Sequence, residues 1–123
     1  MRVIETKMNK AIRNRRNFSN ANTSVQTGSF FDSKGNYCEE SKVFLHGNHI
    51  ATYDHVNREL ALFDGGWQTV TTKSRLNALC NEFATGFSVF QKNWDWFVSD
   101  FQNTVIDFTD GITVNYNGCF VKL

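Results

Sequence analysis

The stretch from Gly65 to Phe83 limits the possible folds of this chain more than any other part of the sequence. It contains four apolar residues that recur at i, i+3, i+4 and i+7, namely Leu76, Leu79, Cys80 and Phe83. This spacing places them on one face of an α-helix, which then packs against a core. Thr71 or Thr72 is a suitable N-cap, because its hydroxyl can accept a hydrogen bond from a first-turn amide. The stretch therefore predicts a strand end, a tight glycine turn and a helix start.

The composition indicates one folded domain rather than a disordered or membrane-spanning chain. Hydrophobic residues make up 41% of the 123 residues and aromatic residues 15%, enough for a core without metal or disulfide support. The three cysteines form no CxxC pair, and their odd number predicts free thiols in a reducing compartment. No apolar run approaches the length of a membrane span, and we recognise no signal peptide, so we expect a cytosolic protein without a membrane partner.

Positive charge is concentrated at the N-terminus. Residues 1–16 contain six basic residues and one acidic residue, whereas the rest of the chain contains seven basic and eleven acidic ones. Residues 2–16 also have the period of an amphipathic helix. Its apolar side is formed by Ile4, Met8, Ala11 and Ile12. We expect a basic helix over residues 1–17 that either docks on the sheet or stays loosely attached until it meets a partner.

After a turn-rich segment at 17–22, the period of the apolar residues changes toward two, which indicates strands. The sequence predicts strands over residues 23–31, 41–46 and 59–63. Gly47-Asn48 has two interpretations: a two-residue hairpin turn, or a glycine bulge inside one long strand that continues to residue 53. We favour the bulge, because residues 54–58 then form a natural turn.

Further short strands are predicted after the helix, which we expect to stop at Gly86. They form a hairpin from 87–91 and 94–99, a second hairpin from 104–108 and 112–116, and a tail strand over 119–123. The whole order, α-β-β-β-α-β-β-β-β, predicts a single α+β domain. Its expected architecture is a mostly antiparallel sheet of about six to seven strands, with an N-terminal amphipathic helix and one central helix packed on it.

The start of the central helix is one candidate binding site. Amides at a helix N-terminus, combined with hydroxyls and cations, are the groups that bind phosphate or another anion. The candidate residues there are Thr71, Thr72, Lys73, Ser74 and Arg75. The alternative is ordinary capping with solvated Lys73 and Arg75. No GxxxxGK[ST] or GxGxxG motif is present, so we do not expect a nucleotide hydrolase or a dinucleotide site.

The basic N-terminal helix is a second candidate. Lys10, Arg13, Arg15 and Arg16 can lie along a phosphate backbone and bind it without sequence preference. The alternative is a solvated face, since any soluble amphipathic helix carries such residues.

Tryptophans supply a third candidate surface, for stacking on bases or for contact with a partner: Trp67, Trp94 and Trp96. Strand alternation places Trp94 and Trp96 on one face of the 87–99 hairpin, where the alternative is a core position. The spacing of His46 and His49 is HxxH, but residues three apart on a strand face opposite sides. We therefore expect no metal site, no cofactor and no catalytic residue.

Three segments carry a resemblance to a known family: NTSV (22–25), SKVFLHGNHIA (41–51) and GGWQTVTTKSRLNAL (65–79). In that order they resemble a family of small uncharacterised proteins of tailed bacteriophages, with LHGN-IA and GW-T-TTKSRLNAL motifs, over residues 8–98. The resemblance implies a phage accessory protein that acts in the host bacterial cytoplasm. It implies no activity, and His49 stands where the family is expected to have an aliphatic residue.

These observations lead to one functional hypothesis and one alternative. We expect a small non-enzymatic phage protein that binds nucleic acid or a phosphorylated ligand through the basic helix and the cationic helix start. The alternative is an inhibitor or adaptor that binds a host protein during infection. An enzyme would need a cluster that only the fold can assemble, for example from His46, Asp64 and Arg75. Free sheet edges also leave a homodimer open.

Overall fold

Two helices and ten strands make up the computed structural model, which describes residues 1–122. The helices are α1 (Val3–Arg13) and α2 (Val70–Phe83). Five strands precede α2: β1 (Phe18–Asn20), β2 (Thr23–Phe31), β3 (Tyr37–Leu45), β4 (Asn48–Asp54) and β5 (Glu59–Leu62). Five follow it: β6 (Ser88–Lys92), β7 (Asp95–Ser99), β8 (Val105–Asp107), β9 (Ile112–Asn115) and β10 (Phe120–Lys122).

The strands form two antiparallel sheets rather than one. The larger sheet has seven strands in the order β1-β2-β3-β4-β5-β9-β10, and the smaller one has the order β6-β7-β8. The α+β class with antiparallel pairing is therefore confirmed. The described residues contain more strands than the six to seven expected, partly because β1 forms within 17–22, which was predicted to be a turn. The predicted tail strand reaches Leu123, which lies outside the described residues.

The core lies between the helices and the inner faces of the sheets. Met8 and Ile12 of α1 and Leu76 and Leu79 of α2 are completely buried. The apolar periodicity of both helices thus marks buried faces, as predicted. Helix α1 is docked against α2 and β2 and is not loosely attached. It ends at Arg13, so Arg15 and Arg16 lie beyond the helix, which was predicted over residues 1–17.

A buried ion pair fixes α1 in place. The Arg75 guanidinium of α2 lies 2.8 Å from the Glu5 carboxylate of α1, and both side chains are 3% exposed. Ser74 donates a second hydrogen bond to Glu5 at 2.6 Å, and Arg75 also donates to the Thr23 hydroxyl of β2. Burial alone would raise the pKa of Glu5, but the hydrogen bonds from Ser74 and Arg75 outweigh burial and lower it. The network therefore joins α1, α2 and β2 through charged groups.

The 41–53 region is a hairpin, and the bulge favoured at Gly47-Asn48 is wrong. His46 and Gly47 form the two-residue turn, with φ values of 51° and 78°. Both residues have positive φ, as a tight hairpin turn matched to strand twist requires. The strand irregularity lies further along, where β4 has one extra residue, Ile50, between the partners of Val43 and Phe44.

The predicted hairpin of 104–108 with 112–116 is also wrong, because its two strands belong to different sheets. Strand β8 pairs with β7, whereas β9 pairs with β5 and β10. Phe108 packs edge-on against Trp96, with ring centroids 5.5 Å apart, while Ile112 is completely buried. The chain therefore crosses between the sheets at 109–111, and each side buries its own apolar residue.

Candidate functional site

The predicted helix-start site is only partly assembled. Thr69, rather than Thr71 or Thr72, is the N-cap of α2, and its hydroxyl accepts from the Thr72 amide at 3.1 Å. A cavity of about 400 Å³ opens at this end of the helix. Its walls include three of the predicted residues, Trp67, Thr71 and Thr72, together with His46 and Asp64.

The predicted cations of this site are not part of the cavity wall. Arg75 is buried against Glu5, and Ser74 donates its hydroxyl to the same carboxylate, so neither is available to a ligand. Lys73 lies on the helix but does not line the cavity. The cavity contains instead the carboxylate of Asp64, which accepts from the Gly66 amide and repels an anion. The interpretation of Ser74 and Arg75 as anion contacts is therefore corrected, and the cluster of His46, Asp64 and Arg75 does not form.

A cleft at the opposite end of α2 brings together more of the predicted basic residues. Its volume is about 390 Å³. We call it the arginine cleft; it is lined by Arg13, Arg15, Tyr53, His55, Arg58, Glu82, Phe83, Thr85 and Tyr116. Arg13 is the last residue of α1, and Arg15 follows it with a left-handed φ of 54°. Because the Glu5–Arg75 pair holds α1 against the body of the protein, the end of α1 and the residues just after it, which carry both guanidinium groups, are held in place.

Two of the three arginines have acidic neighbours that remain accessible. Arg13 pairs with Glu82 of α2 and lies over the Phe83 ring, with its guanidinium carbon 5.5 Å from the ring centroid. The Arg15 Nε atom lies 2.8 Å from a Glu39 carboxylate oxygen of β3. Because both arginines are more than half exposed, these pairs contribute little to stability and can exchange for a ligand.

Arg58 is the third arginine, and its position depends on the β4–β5 turn. The Asp54 carboxylate accepts from the Val56 and Asn57 amides at 2.9 and 3.1 Å, and its carbonyl accepts from the Arg58 amide. The Arg58 guanidinium carbon lies 4.0 Å from the centroid of the Tyr116 ring. Among residues 1–122, Arg58 forms no ion pair, so the edge of its guanidinium group is free to bind an anion.

The floor of the cleft is aromatic. The Tyr53 ring packs on Phe83 at 4.5 Å and edge-on against His55 at 4.9 Å between centroids. Nε2 of His55 is 2.8 Å from the Ser41 hydroxyl. Burial, and secondarily the nearby Arg15, lower the pKa of His55, so its imidazole is neutral at pH 7. Burial likewise raises the pKa of Tyr53, which stays a neutral phenol.

The remaining predicted residues lie on other surfaces. Lys10 and Arg16 line a separate groove of about 240 Å³ with Lys7, between α1 and the start of β1. Trp94 and Trp96 do not share a face: Trp94 occupies the β6–β7 turn with φ 73° and is 88% exposed, whereas Trp96 is 4% exposed in the core. Asp95 starts β7, so the alternation begins one residue later than predicted.

Comparison with known protein families shows to which family this chain belongs. The model of the Kyanoviridae Gp96 protein matches residues 1–115. The chain belongs to this family. The phage origin that the resemblance implied is thereby confirmed. No curated protein and no solved structure matches the chain. Neither helix within residues 1–122 combines the length and apolar character that a membrane crossing requires.

In this Kyanoviridae Gp96 chain, the sequence pointed to Arg13 and Arg15 but not to the other half of the cleft. Tyr53 lies in β4 and His55 is the first residue after that strand, so their contact could be expected from their closeness in the sequence. Arg58 and Tyr116 are far apart in sequence and meet because β5 pairs with β9, placing Glu59 opposite Asn115. Only the strand order shows that these two residues are neighbours.

Proposed function

We propose that this member of the Kyanoviridae Gp96 family is a non-enzymatic phage accessory protein that binds nucleic acid or a phosphorylated ligand in the host bacterial cytoplasm. The binding site in this proposal is the arginine cleft. One observation carries it: two arginines at the end of α1 and one from the β4–β5 turn converge above an aromatic floor in one open cleft of about 390 Å³.

The chemistry of the cleft suits a phosphate. Guanidinium groups bind phosphate oxygens in pairs, and Arg58 offers an edge that no described acidic residue occupies. A phosphate entering between Arg13 and Arg15 displaces two partly exposed glutamates, whose pairs with the exposed arginines are weak. The Tyr116 ring is 45% exposed and lies beside the Arg58 guanidinium, where a nucleobase can stack.

A salt-dependent titration tests the proposal. Fluorescently labelled single- and double-stranded DNA and RNA are titrated with the wild type, Arg58→Ala and Arg13→Ala. Each variant should weaken binding by at least about tenfold and reduce the slope of log K against log salt by about 0.7 to 0.9. The control is Lys92→Ala, because Lys92 is exposed at the end of β6 and outside the cleft. If both arginine variants bind as the control does, the cleft is not the site.

A host-protein adaptor is the second candidate, and Trp94 favours it. A tryptophan with a left-handed backbone and 88% exposure in a turn is costly in isolation and is typical of a residue that a partner covers. Pull-down from a bacterial lysate after nuclease treatment, with wild type and Trp94→Ala, separates this candidate from the first. A partner captured at high salt only by the wild type supports the adaptor.

A further inference from the structure

The hairpin formed by β2 and β3 extends beyond the rest of the large sheet. Strand β1 pairs with β2 only as far as Val25, and β4 pairs with β3 only as far as Glu40. The last residues of the hairpin are therefore covered by neither neighbour. They carry two aromatic side chains directly opposite each other, Phe31 (71% exposed) and Tyr37 (50% exposed), with ring centroids 5.9 Å apart. We call this pair the ribbon aromatics.

The ribbon aromatics lie on the same face of the sheet as the arginine cleft. Side chains at every second position of a strand share a face, so Tyr37, Glu39 and Ser41 of β3 point the same way. Ser41 contacts His55 of the cleft, and Glu39 pairs with Arg15. Tyr37 is thus one step of about 7 Å beyond the Arg15–Glu39 pair. A continuous path leads from Arg58 past Arg15 to the ribbon aromatics.

From this path we propose that the ligand is a single-stranded nucleic acid whose bases stack on Phe31 and Tyr37 while its phosphates lie on Arg13 and Arg15. The inference rests on the proposed function of the arginine cleft and extends it to a class of ligand. Cations followed by exposed aromatic rings are the combination that binds single strands, because unpaired bases offer free faces. A duplex stacks its bases on one another and has no face to offer these rings.

The neighbouring residue Phe30 supplies a matched control. It is an aromatic residue of the same strand, is 47% exposed, and by strand alternation points to the opposite face. Replacing it removes one partly exposed ring from the same end of the hairpin but from the opposite face.

The test is fluorescence anisotropy with oligo-dT and oligo-U of about ten nucleotides and a duplex of equal length. The double variant Phe31→Ala/Tyr37→Ala should bind the single strands at least about tenfold more weakly than the wild type. Its salt slope should stay unchanged, since no phosphate contact is lost. Phe30→Ala should bind as the wild type does, and the wild type should prefer single strands to the duplex.

Other results overturn the inference in distinguishable ways. If the double variant binds like the wild type while Arg58→Ala is weakened, the cleft still binds phosphate but the ribbon aromatics have no part. If Phe30→Ala loses as much affinity as the double variant, the effect belongs to the hairpin as a whole and stacking on this face is refuted. Equal affinity for duplex and single strands refutes the ligand class. Absence of nucleic-acid binding by the wild type refutes the inference, and titration with a nucleoside triphosphate then decides whether the proposed function survives for small phosphorylated ligands.

Discussion

Replacing Glu5 by glutamine should destabilise the fold more than replacement of any exposed acidic residue. Glu5→Gln keeps the size of the side chain and an oxygen that can accept from Ser74, but it removes the charge opposite Arg75. The guanidinium is then left 3% exposed without a counter-ion. Breaking a buried ion pair from one side costs about 3–5 kcal/mol of unfolding free energy. For a domain of this size that corresponds to a fall in Tm of about 10–20 °C.

The assay is urea unfolding followed by far-UV circular dichroism, and Glu82→Gln is the matched control. Glu82 also pairs with an arginine, but Arg13 is 60% exposed, so the control should lose less than about 1 kcal/mol. A loss for Glu5→Gln no larger than that of the control would refute the reasoning that the buried pair holds α1. Because α1 carries Arg13, the Glu5 variant should also bind ligand more weakly at temperatures where it remains folded.

The same residue predicts a dependence of stability on pH. The pKa of Glu5 is lowered in the fold, so the unfolded state takes up its proton first as pH falls. The stabilisation is complete above the ordinary glutamate value of 4.5 and is lost as pH falls through the lower value of the folded state. In urea unfolding between pH 6 and pH 3, this component should be absent from Glu5→Gln. A parallel pH profile for the variant and the wild type would contradict the assignment.

Two further predictions concern aromatic surroundings. Trp96→Ala should lower the free energy of unfolding, measured with urea, by about 3–5 kcal/mol, because Trp96 is in the core. Trp94→Ala should lower it by less than about 0.5 kcal/mol, because Trp94 is exposed. Similar losses for the two variants would contradict the burial of Trp96 and the exposure of Trp94. His49 packs against Phe63 at 4.6 Å, and burial lowers its pKa, so the unfolded state binds its proton more readily and stability should fall as pH drops below about 6.5. His49→Leu should flatten that fall in unfolding measured from pH 7 to pH 5, and an unchanged slope would show that His49 contributes nothing to it.

The parts of the fold that local patterns determine were predictable. The strand over 23–31 and the helix that ends at Phe83 follow from alternation and from the i, i+3, i+4, i+7 spacing, and both are observed. The incorrect predictions concern turns and strand pairings, which depend on which strands are neighbours in a sheet. His46 rather than Asn48 takes a position of positive φ, because the pairing of Leu45 with Asn48 leaves only two residues for the turn. Likewise, no local signal shows that β8 and β9 belong to different sheets.

The candidate site was predicted in fragments for the same reason. The basic residues of the first helix were visible in the sequence, but the fold divides them: Arg13 and Arg15 face one groove, and Lys10 and Arg16 face another. Arg75 was predicted to contact an anion, but in the fold its guanidinium group is paired with the buried Glu5 carboxylate. A basic residue in a sequence therefore indicates a ligand only after its internal acidic partners are known.

The buried pair and the cleft can be understood as two parts of one arrangement. A basic helix has to be held against the body of the protein before its arginines can form a defined site, and its exposed face offers no apolar contact for that purpose. Besides the buried Met8 and Ile12, Glu5, the only acidic residue among the first sixteen, attaches the helix by meeting Arg75 inside the core. Arg75 is thus absent from the ligand surface because it positions the helix that carries Arg13 toward Arg58. On this reasoning, charge at the N-terminus of the chain serves both attachment and recognition, and the two roles fall on opposite ends of α1: Glu5 in its first turn and Arg13 at its last residue.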